Sequence, residues 1–207
     1  MDSIGFWNAR GLNKLDKQKE LNLFIHYLRV GVFGFLETKI KRAKAYKASF
    51  YLCQGWSFII NLDKHLGGRI WMVWKPQLYE VDIKEVTEQM IHNTVKHRGN
   101  RLSFNVTMVY GFNEQAARRR LWDNIKQIRV KLDGPCAVMG DFNCVLSRDE
   151  RIGSKVTMVE TREFRQCIEV CGLKELRSSG AFFTWNNKQG GDSRVYSMID
   201  RVLVNTE

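Results

Sequence analysis

The sequence predicts a mixed α/β domain, with sheets at the centre and helices outside. Three observations carry that expectation. Stretches of strand character outnumber stretches with helical spacing, and the helical stretches fall between groups of strands. Several apolar runs stop at a glycine or a polar residue, as strands do at the rim of a sheet. With 44% hydrophobic residues and only two prolines among 207, the chain can bury a sizeable core without a linker or a disordered tail. That length fits one large domain over residues 1–207 better than two.

The elements follow in order. Residues 3–7 read as a first strand, closed by Asn8-Ala9-Arg10-Gly11. Residues 16–29 have helical spacing, with Leu21, Phe24, Ile25 and Leu28 on one face. Residues 32–36 form a second strand that runs into Glu37-Thr38-Lys39, and a basic stretch, 39–47, follows. Two strands over 56–61 and 68–74 are joined by a polar, hairpin-like connection, 62–67. Further strands are expected over 79–89 and 101–110. The clearest helix is 118–132, with an apolar stripe of Leu121, Ile125, Ile128 and Leu132 and basic residues elsewhere. The short apolar strand 137–139 comes next, then a helix over 161–171 with Phe164, Cys167, Ile168 and Cys171 inward. Residues 182–185 and 202–204 are the last strand candidates.

The formal net charge is +11, which points to a polyanionic partner, nucleic acid first. No run of about 18 apolar residues exists, so no membrane span is expected. Asn8 and Arg10 come too early for a signal peptide, so a nuclear or cytoplasmic protein that is not secreted is expected. The five cysteines form no Cys-x-x-Cys pair and no histidine stands at zinc-ligand spacing; all five are expected reduced.

The strand ends concentrate chemistry. Gly140-Asp141-Phe142-Asn143 places a carboxylate and a carboxamide two positions apart, on one side of an extended chain. Other strands end at Asn8, at Glu37 and at Tyr110. If the ends share a rim, two carboxylates, two carboxamides and a phenol converge. That set suits metal-assisted phosphodiester hydrolysis, because Mg²⁺ takes oxygen ligands, usually one or two protein carboxylates plus water.

These stretches resemble the endonuclease/exonuclease/phosphatase family, with its DNase I-like fold, and within it the endonuclease domain of plant non-LTR (LINE-type) retrotransposons. The resemblance rests on Phe6-Trp7-Asn8-Ala9-Arg10-Gly11-Leu12-Asn13, Phe35-Leu36-Glu37-Thr38-Lys39, Gly68-Arg69-Ile70-Trp71 and Val109-Tyr110-Gly111. It continues through Gly140-Asp141-Phe142-Asn143, the segment 180–187 and Ser197-Met198-Ile199-Asp200-Arg201-Val202-Leu203. The stretches keep the family's order and cover nearly the whole chain.

The resemblance implies a four-layer α/β/β/α sandwich and a nuclease that nicks DNA to prime reverse transcription. It implies Glu37 as metal ligand with Asn8 beside it, for Mg²⁺ with Mn²⁺ as substitute. Tyr110 and Asn143 would contact the scissile phosphate, Asp141 would activate the attacking water or stabilise the leaving group, and Asp200 would orient a histidine. Arg10, Lys39, Lys41, Arg42, Arg118, Arg119 and Arg120 would grip DNA phosphates. The implied partners are DNA and a reverse transcriptase domain outside these residues, on a monomer.

One departure qualifies these expectations. The family's closing Ser-Asp-His motif and last strand are expected beyond residue 207, and none of His26, His65, His92 and His97 follows Asp200. A C-terminally truncated domain with impaired nicking is therefore expected, since a general acid/base contributes about 10² to 10⁴ in rate. The alternatives are an inactive nucleic-acid-binding remnant of a retroelement, or a phosphoesterase of the same fold acting on RNA or another phosphate ester.

Overall fold

The computed structural model describes residues 3–52, 54–65 and 67–206. Cys53, and Leu66 in the predicted 62–67 connection, lie outside them. The chain divides after Tyr110 into two units, residues 1–110 and 111–207.

The first unit contains β1 (Ser3–Asn8), α1 (Leu15–Tyr27), β2 (Val30–Leu36), α2 (Arg42–Leu52), β3 (Ser57–Ile60), β4 (Ile70–Trp74), β5 (Tyr79–Val86), β6 (Met90–His97) and β7 (Ser103–Tyr110). Its first sheet has the order β1-β2-β4-β3, with β1 and β2 parallel and the other pairs antiparallel. The parallel pair requires a crossover, and α1 supplies it. All seven residues of β2 are buried, as a continuous apolar run in a strand covered on both faces should be. Phe33, Phe35, Trp71 and Val73 pack with Leu21, Ile25, Ala48 and Leu52 of the two helices. The opposite face meets an antiparallel meander of β5, β6 and β7. Gly34 permits that approach: a Cβ there would stand 2.7 Å from the Met108 sulfur of β7.

The second unit contains α3 (Gln115–Lys131), β8 (Cys136–Asp141), β9 (Arg151–Ile152), α4 (Met158–Val170), β10 (Lys174–Glu175), β11 (Trp185–Asn186), β12 (Tyr196–Ser197) and β13 (Asp200–Val204). β13 lies antiparallel between β8 and β10, and β12 pairs with both β11 and β9. The helices are tied to the end of β8 through aromatic stacking. Trp122 of α3 lies 4.6 Å from Phe164 of α4, and Phe164 lies 4.9 Å from Phe142.

The mixed α/β class is the one expected, and the differences lie in particular segments. The basic stretch 39–47 gives way to α2, and the strands expected over 79–89 and 101–110 frame β6, which the sequence reading passed over. In β6, His92, Asn93 and Lys96 mask the alternation, yet His92 and Asn93 are buried. The strand expected over 182–185 reduces to Trp185–Asn186. Cys136, Cys144, Cys167 and Cys171 are buried and free of disulfides. No helix among the described residues is long and apolar enough to cross a membrane.

His92 couples this packing to pH. Its Nδ1 lies 2.8 Å from Thr107 Oγ1, and burial, followed by the charge of Lys84, lowers its pKa from 6.5 to about 4. Between those values the unfolded chain binds the extra proton, so stability is complete above about 6.5 and falls as pH drops toward about 4. A shift of this size corresponds to about 3 kcal/mol. Urea midpoints measured from pH 7 downward are expected to fall already between about 6.5 and 5, above the usual carboxylate range. His92→Gln should flatten that part of the profile, and an unchanged profile would remove His92 as its cause.

Candidate active site

In the first unit, the β1–β2 ladder does not stop where the strands stop. Asn8 is in register with Leu36. Beyond it, Ala9 N–H donates to Leu36 O (2.9 Å), Gly11 N–H to Glu37 O (2.8 Å) and Leu12 N–H to Thr38 O (2.7 Å). This continued pairing brings Asn8 and Glu37 to one edge, as the sequence led us to expect. It also bends the backbone: Arg10, Glu37 and Lys39 have φ of +47°, +51° and +54°. Non-glycine residues seldom occupy this region, and such positions concentrate at functional sites, where each costs about 1–3 kcal/mol. Thr38 locks the turn from below, its buried hydroxyl donating to Gly68 O.

The side chains at this edge offer oxygen. Asn8 Oδ1 accepts from Arg10 N–H at 3.2 Å. Glu37 is mostly buried, and Lys39 Nζ lies 2.7 Å from its Oε1. An ammonium therefore already sits at the carboxylate, where the electrostatics favour a cation. Among the described residues no group of three or more His, Cys, Asp and Glu side chains could hold a metal ion. One carboxylate with one amide oxygen, and no thiolate or imidazole, fits a hard cation such as Mg²⁺ or Mn²⁺, which completes its shell with water and substrate oxygen.

Tyr110 ends β7 in the same unit and is buried apart from a small fraction. Above its ring, 5.5 Å from the centroid, lies the guanidinium of Arg69. Arg69 also accepts the Thr38 N–H at its carbonyl (3.4 Å), so it links the Glu37 turn to Tyr110. The sequence reading quoted Arg69 only as part of a motif and gave it no role. A cation directly after a glycine pair and one residue before an apolar strand was the available signal.

In the second unit, β8 delivers Asp141 to the end of a strand, buried. Asn143 N–H donates to Asp141 Oδ1 at 2.9 Å, closing an Asx turn with Asn143 at φ +48°. Asn143 Nδ2 donates to Gly111 O at 2.7 Å, and Gly111 N–H donates to Asp141 O at 2.8 Å. Gly111 is required here, because a Cβ would stand 2.6 Å from Phe142 O. Asp200 is the direct cross-strand partner of Asp141, so the two carboxylates share one face of the sheet. Thr184 Oγ1 holds the neighbouring backbone, accepting from the N–H groups of Ile199 and Asp200 at 3.1 Å each.

Three layers of support hold this strand pair. Phe142 is fully buried in the aromatic stack. Arg201, next to Asp200, has a fully buried side chain that donates to Glu150, to Glu175 (2.7 Å) and to Met198 O (3.1 Å). Glu150 also accepts from the N–H groups of Leu146 and Ser147, so it ties β13 to the loop that follows Asn143. No sequence signal marked Glu150 or Arg201, because a buried ion pair looks like two surface charges in one dimension.

The basic residues divide by environment. Lys41 and Arg120 are exposed and Arg10 is half-buried. Lys39 pairs with Glu37, Arg42 with Asp63, and Arg119 with Glu163 (2.8 Å). Arg118 corrects the expectation. It is 3% exposed, and its Nη1 donates to the carbonyls of Phe112 (2.7 Å) and Asn113 (2.6 Å). A guanidinium withdrawn from solvent and committed to backbone carbonyls cannot serve as a surface phosphate contact.

The family described as Endonuclease/Exonuclease/phosphatase matches residues 5–207. No curated protein matches the sequence. Among solved structures, the endonuclease domain of TRAS1, a telomere-specific non-LTR retrotransposon, is 14% identical with a TM-score of 0.70, covering 97% of this chain and 84% of that one. The 3′ phosphatase NExo from Neisseria, bound to product DNA hairpin, is 17% identical with a TM-score of 0.71, covering 98% and 86%. AP endonuclease LMAP from Leishmania major is 13% identical with a TM-score of 0.70, covering 97% and 78%. At these identities the likeness is one of fold, and that fold is the DNase I-like one.

The buried pair and the exposed pair should respond differently to mutation. Glu150→Ala leaves the buried Arg201 with half its carboxylate partners and should cost about 3 kcal/mol in urea unfolding. Arg119→Ala, at an exposed pair, should cost less than about 1 kcal/mol. Equal effects would show that Arg201 is not held as described.

Proposed function

This chain belongs to the endonuclease/exonuclease/phosphatase family, and from that premise we propose that it is a divalent-metal-dependent DNA endonuclease of a non-LTR, plant LINE-type retrotransposon. In this proposal the 207 residues act as one catalytic domain. The domain nicks target DNA so that a reverse transcriptase of the same element can prime from the cut. The observation that carries the reading is the Asp141–Asn143 turn, with Asp200 directly across the strand pair. It presents a held amide and a held carboxylate of the kind that phosphodiester hydrolysis needs.

The roles follow from the chemistry of each group. Glu37 and Asn8 would hold Mg²⁺ or Mn²⁺, which would draw charge from the phosphate and stabilise the leaving oxygen. The Asn143 amide and the Tyr110 hydroxyl hold non-bridging oxygens without adding charge. Asp141 orients the attacking water and takes its proton, its own orientation kept by the Asn143 N–H. Asp200 would orient the histidine of the family's Ser-Asp-His motif, which is not among residues 1–207. Arg10, Lys39, Lys41, Arg42, Arg119 and Arg120 supply the phosphate grip, and the net charge of +11 favours a polyanion over a small phosphate ester.

A second reading keeps the fold and changes the substrate to another phosphate ester. It is favoured by the likeness to a 3′ phosphatase and to the mannosyl-6-phosphatase Bt3783 of Bacteroides thetaiotaomicron, the latter at 12% identity and a TM-score of 0.62 over all of this chain and 86% of that one. Plasmid nicking with Mg²⁺ separates the two. The wild type should nick supercoiled DNA weakly, about 10²- to 10⁴-fold below a form that carries the Ser-Asp-His motif, and Asp141→Asn should lower kcat further. Duplex binding should weaken at least about tenfold between about 50 and 200 mM salt. Salt-dependent binding without nicking would favour an inactive nucleic-acid-binding protein. Release of phosphate from a 3′ end without nicking would favour the phosphatase.

A further inference from the structure

Arg118 is charged, buried and unused by the chemistry above. It occupies the fourth position of α3, close to the positive end of the helix dipole, where a cation is disfavoured. The first turn carries no acidic residue to offset it. A guanidinium placed against both desolvation and the dipole needs specific acceptors, and it has them. Nη1 reaches Phe112 O at 2.7 Å and Asn113 O at 2.6 Å, while Nε is buried with no hydrogen-bond partner among the described residues. The two carbonyls belong to the segment that follows Gly111. That glycine is packed between Arg118 Cδ and Phe142 O, 3.4 and 2.6 Å from where a Cβ would stand.

Among the described residues, the Asn143 side chain is held by hydrogen bonding to Gly111. Its carbonyl accepts Asn143 Nδ2 at 2.7 Å, and its N–H donates to Asp141 O at 2.8 Å. Rotation of the 111–113 segment would therefore swing the Asn143 amide and disturb the Asp141 turn together. We propose that Arg118 is a positioning residue for phosphodiester cleavage, fixing the 111–113 segment so that Gly111 holds the Asn143 amide in the orientation that receives the phosphate. This inference rests on the nuclease reading for its catalytic consequence, and on geometry alone for its structural one. Arg118 acts through one nitrogen, Nη1, whose N–H groups meet both carbonyls, and a lysine side chain is one bond too short to bring its ammonium to that point.

The structural part is read in the wild type by hydrogen exchange of ¹⁵N-labelled protein. The Asn143 side-chain protons should be protected, and exchange at the rate of a free carboxamide would overturn the inference without any variant. In Arg118→Lys that protection should be lost while the backbone amides of β8 and β13 stay protected; retained protection of Asn143 would equally overturn it. In nicking assays the same variant should lose about 10²-fold in kcat with KM changed less than about twofold, because a misplaced group costs turnover rather than affinity. Arg118→Ala should regain activity with added guanidinium. A raised KM with a reduced salt slope and intact kcat would make Arg118 a phosphate contact and end the proposal. If the wild type does not nick, the nuclease reading fails, and the exchange data still decide whether Arg118 positions Asn143. If the variants do not fold, the wild-type exchange decides alone.

Discussion

The strand ends at Asn8, Glu37, Asp141 and Asp200 are buried or half-buried, and a strand end shielded from water must still satisfy its backbone N–H and C=O groups. That constraint shapes both units. In the first, residues 9–12 keep pairing with residues 36–38 after regular strand geometry has ended. The cost is a left-handed backbone at Arg10, Glu37 and Lys39, and the return is that Asn8 and Glu37 are carried on a bonded edge instead of a free loop. In the second, the end of β8 is satisfied by an Asx turn and by Gly111. The groups that could hold a phosphate or a cation are thus the same groups that close the backbone, or their immediate neighbours. Removing one disturbs both functions.

The same logic explains which charges lie inside. Arg118 and Arg201 are buried because backbone carbonyls and carboxylates at strand and helix ends require donors that water does not reach. Arg201 meets two glutamates and a carbonyl, and Glu150 in turn meets two N–H groups. A buried network of this kind, which leaves Arg201 Nε without a hydrogen-bond partner among the described residues, contributes rigidity beside the Asp141–Asn143 turn more than it contributes net stability, since desolvation offsets most of the Coulombic gain.

Much of this was legible in one dimension. The 3.6-residue stripe of α3, the seven-residue apolar run of β2 and the glycine-punctuated strand ends are local signals, and each led to the right element. β6 escaped because its identity is not local: His92 and Asn93 are tolerated inside only because Thr107 and the Met72 sulfur bond to them from other strands. α2 escaped because its apolar face is short, with only Ala48, Ser49 and Leu52 buried. Asn8 and Glu37 were readable as strand ends, whereas the contacts that Arg69 and Arg118 make were not. Their roles depend on what a long side chain reaches, and sequence records only where it starts.

The run Arg118-Arg119-Arg120 shows why a charge count overstates a binding surface. Three adjacent arginines on a helix point in three directions. One is buried against carbonyls, one pairs with Glu163 and one is exposed. Pairing does not disqualify Arg119, because an exposed ion pair contributes less than about 1 kcal/mol and a phosphate can replace the carboxylate at little loss. Burial does disqualify Arg118, since reaching a phosphate would abandon two backbone carbonyls and expose a packed side chain. The same test admits Lys41, Arg42 and Arg120, which keep their charge in solvent, and admits Lys39 only through its competition for Glu37. Under the proposed function, a cation held by Glu37 would compete with the Lys39 ammonium for the same carboxylate.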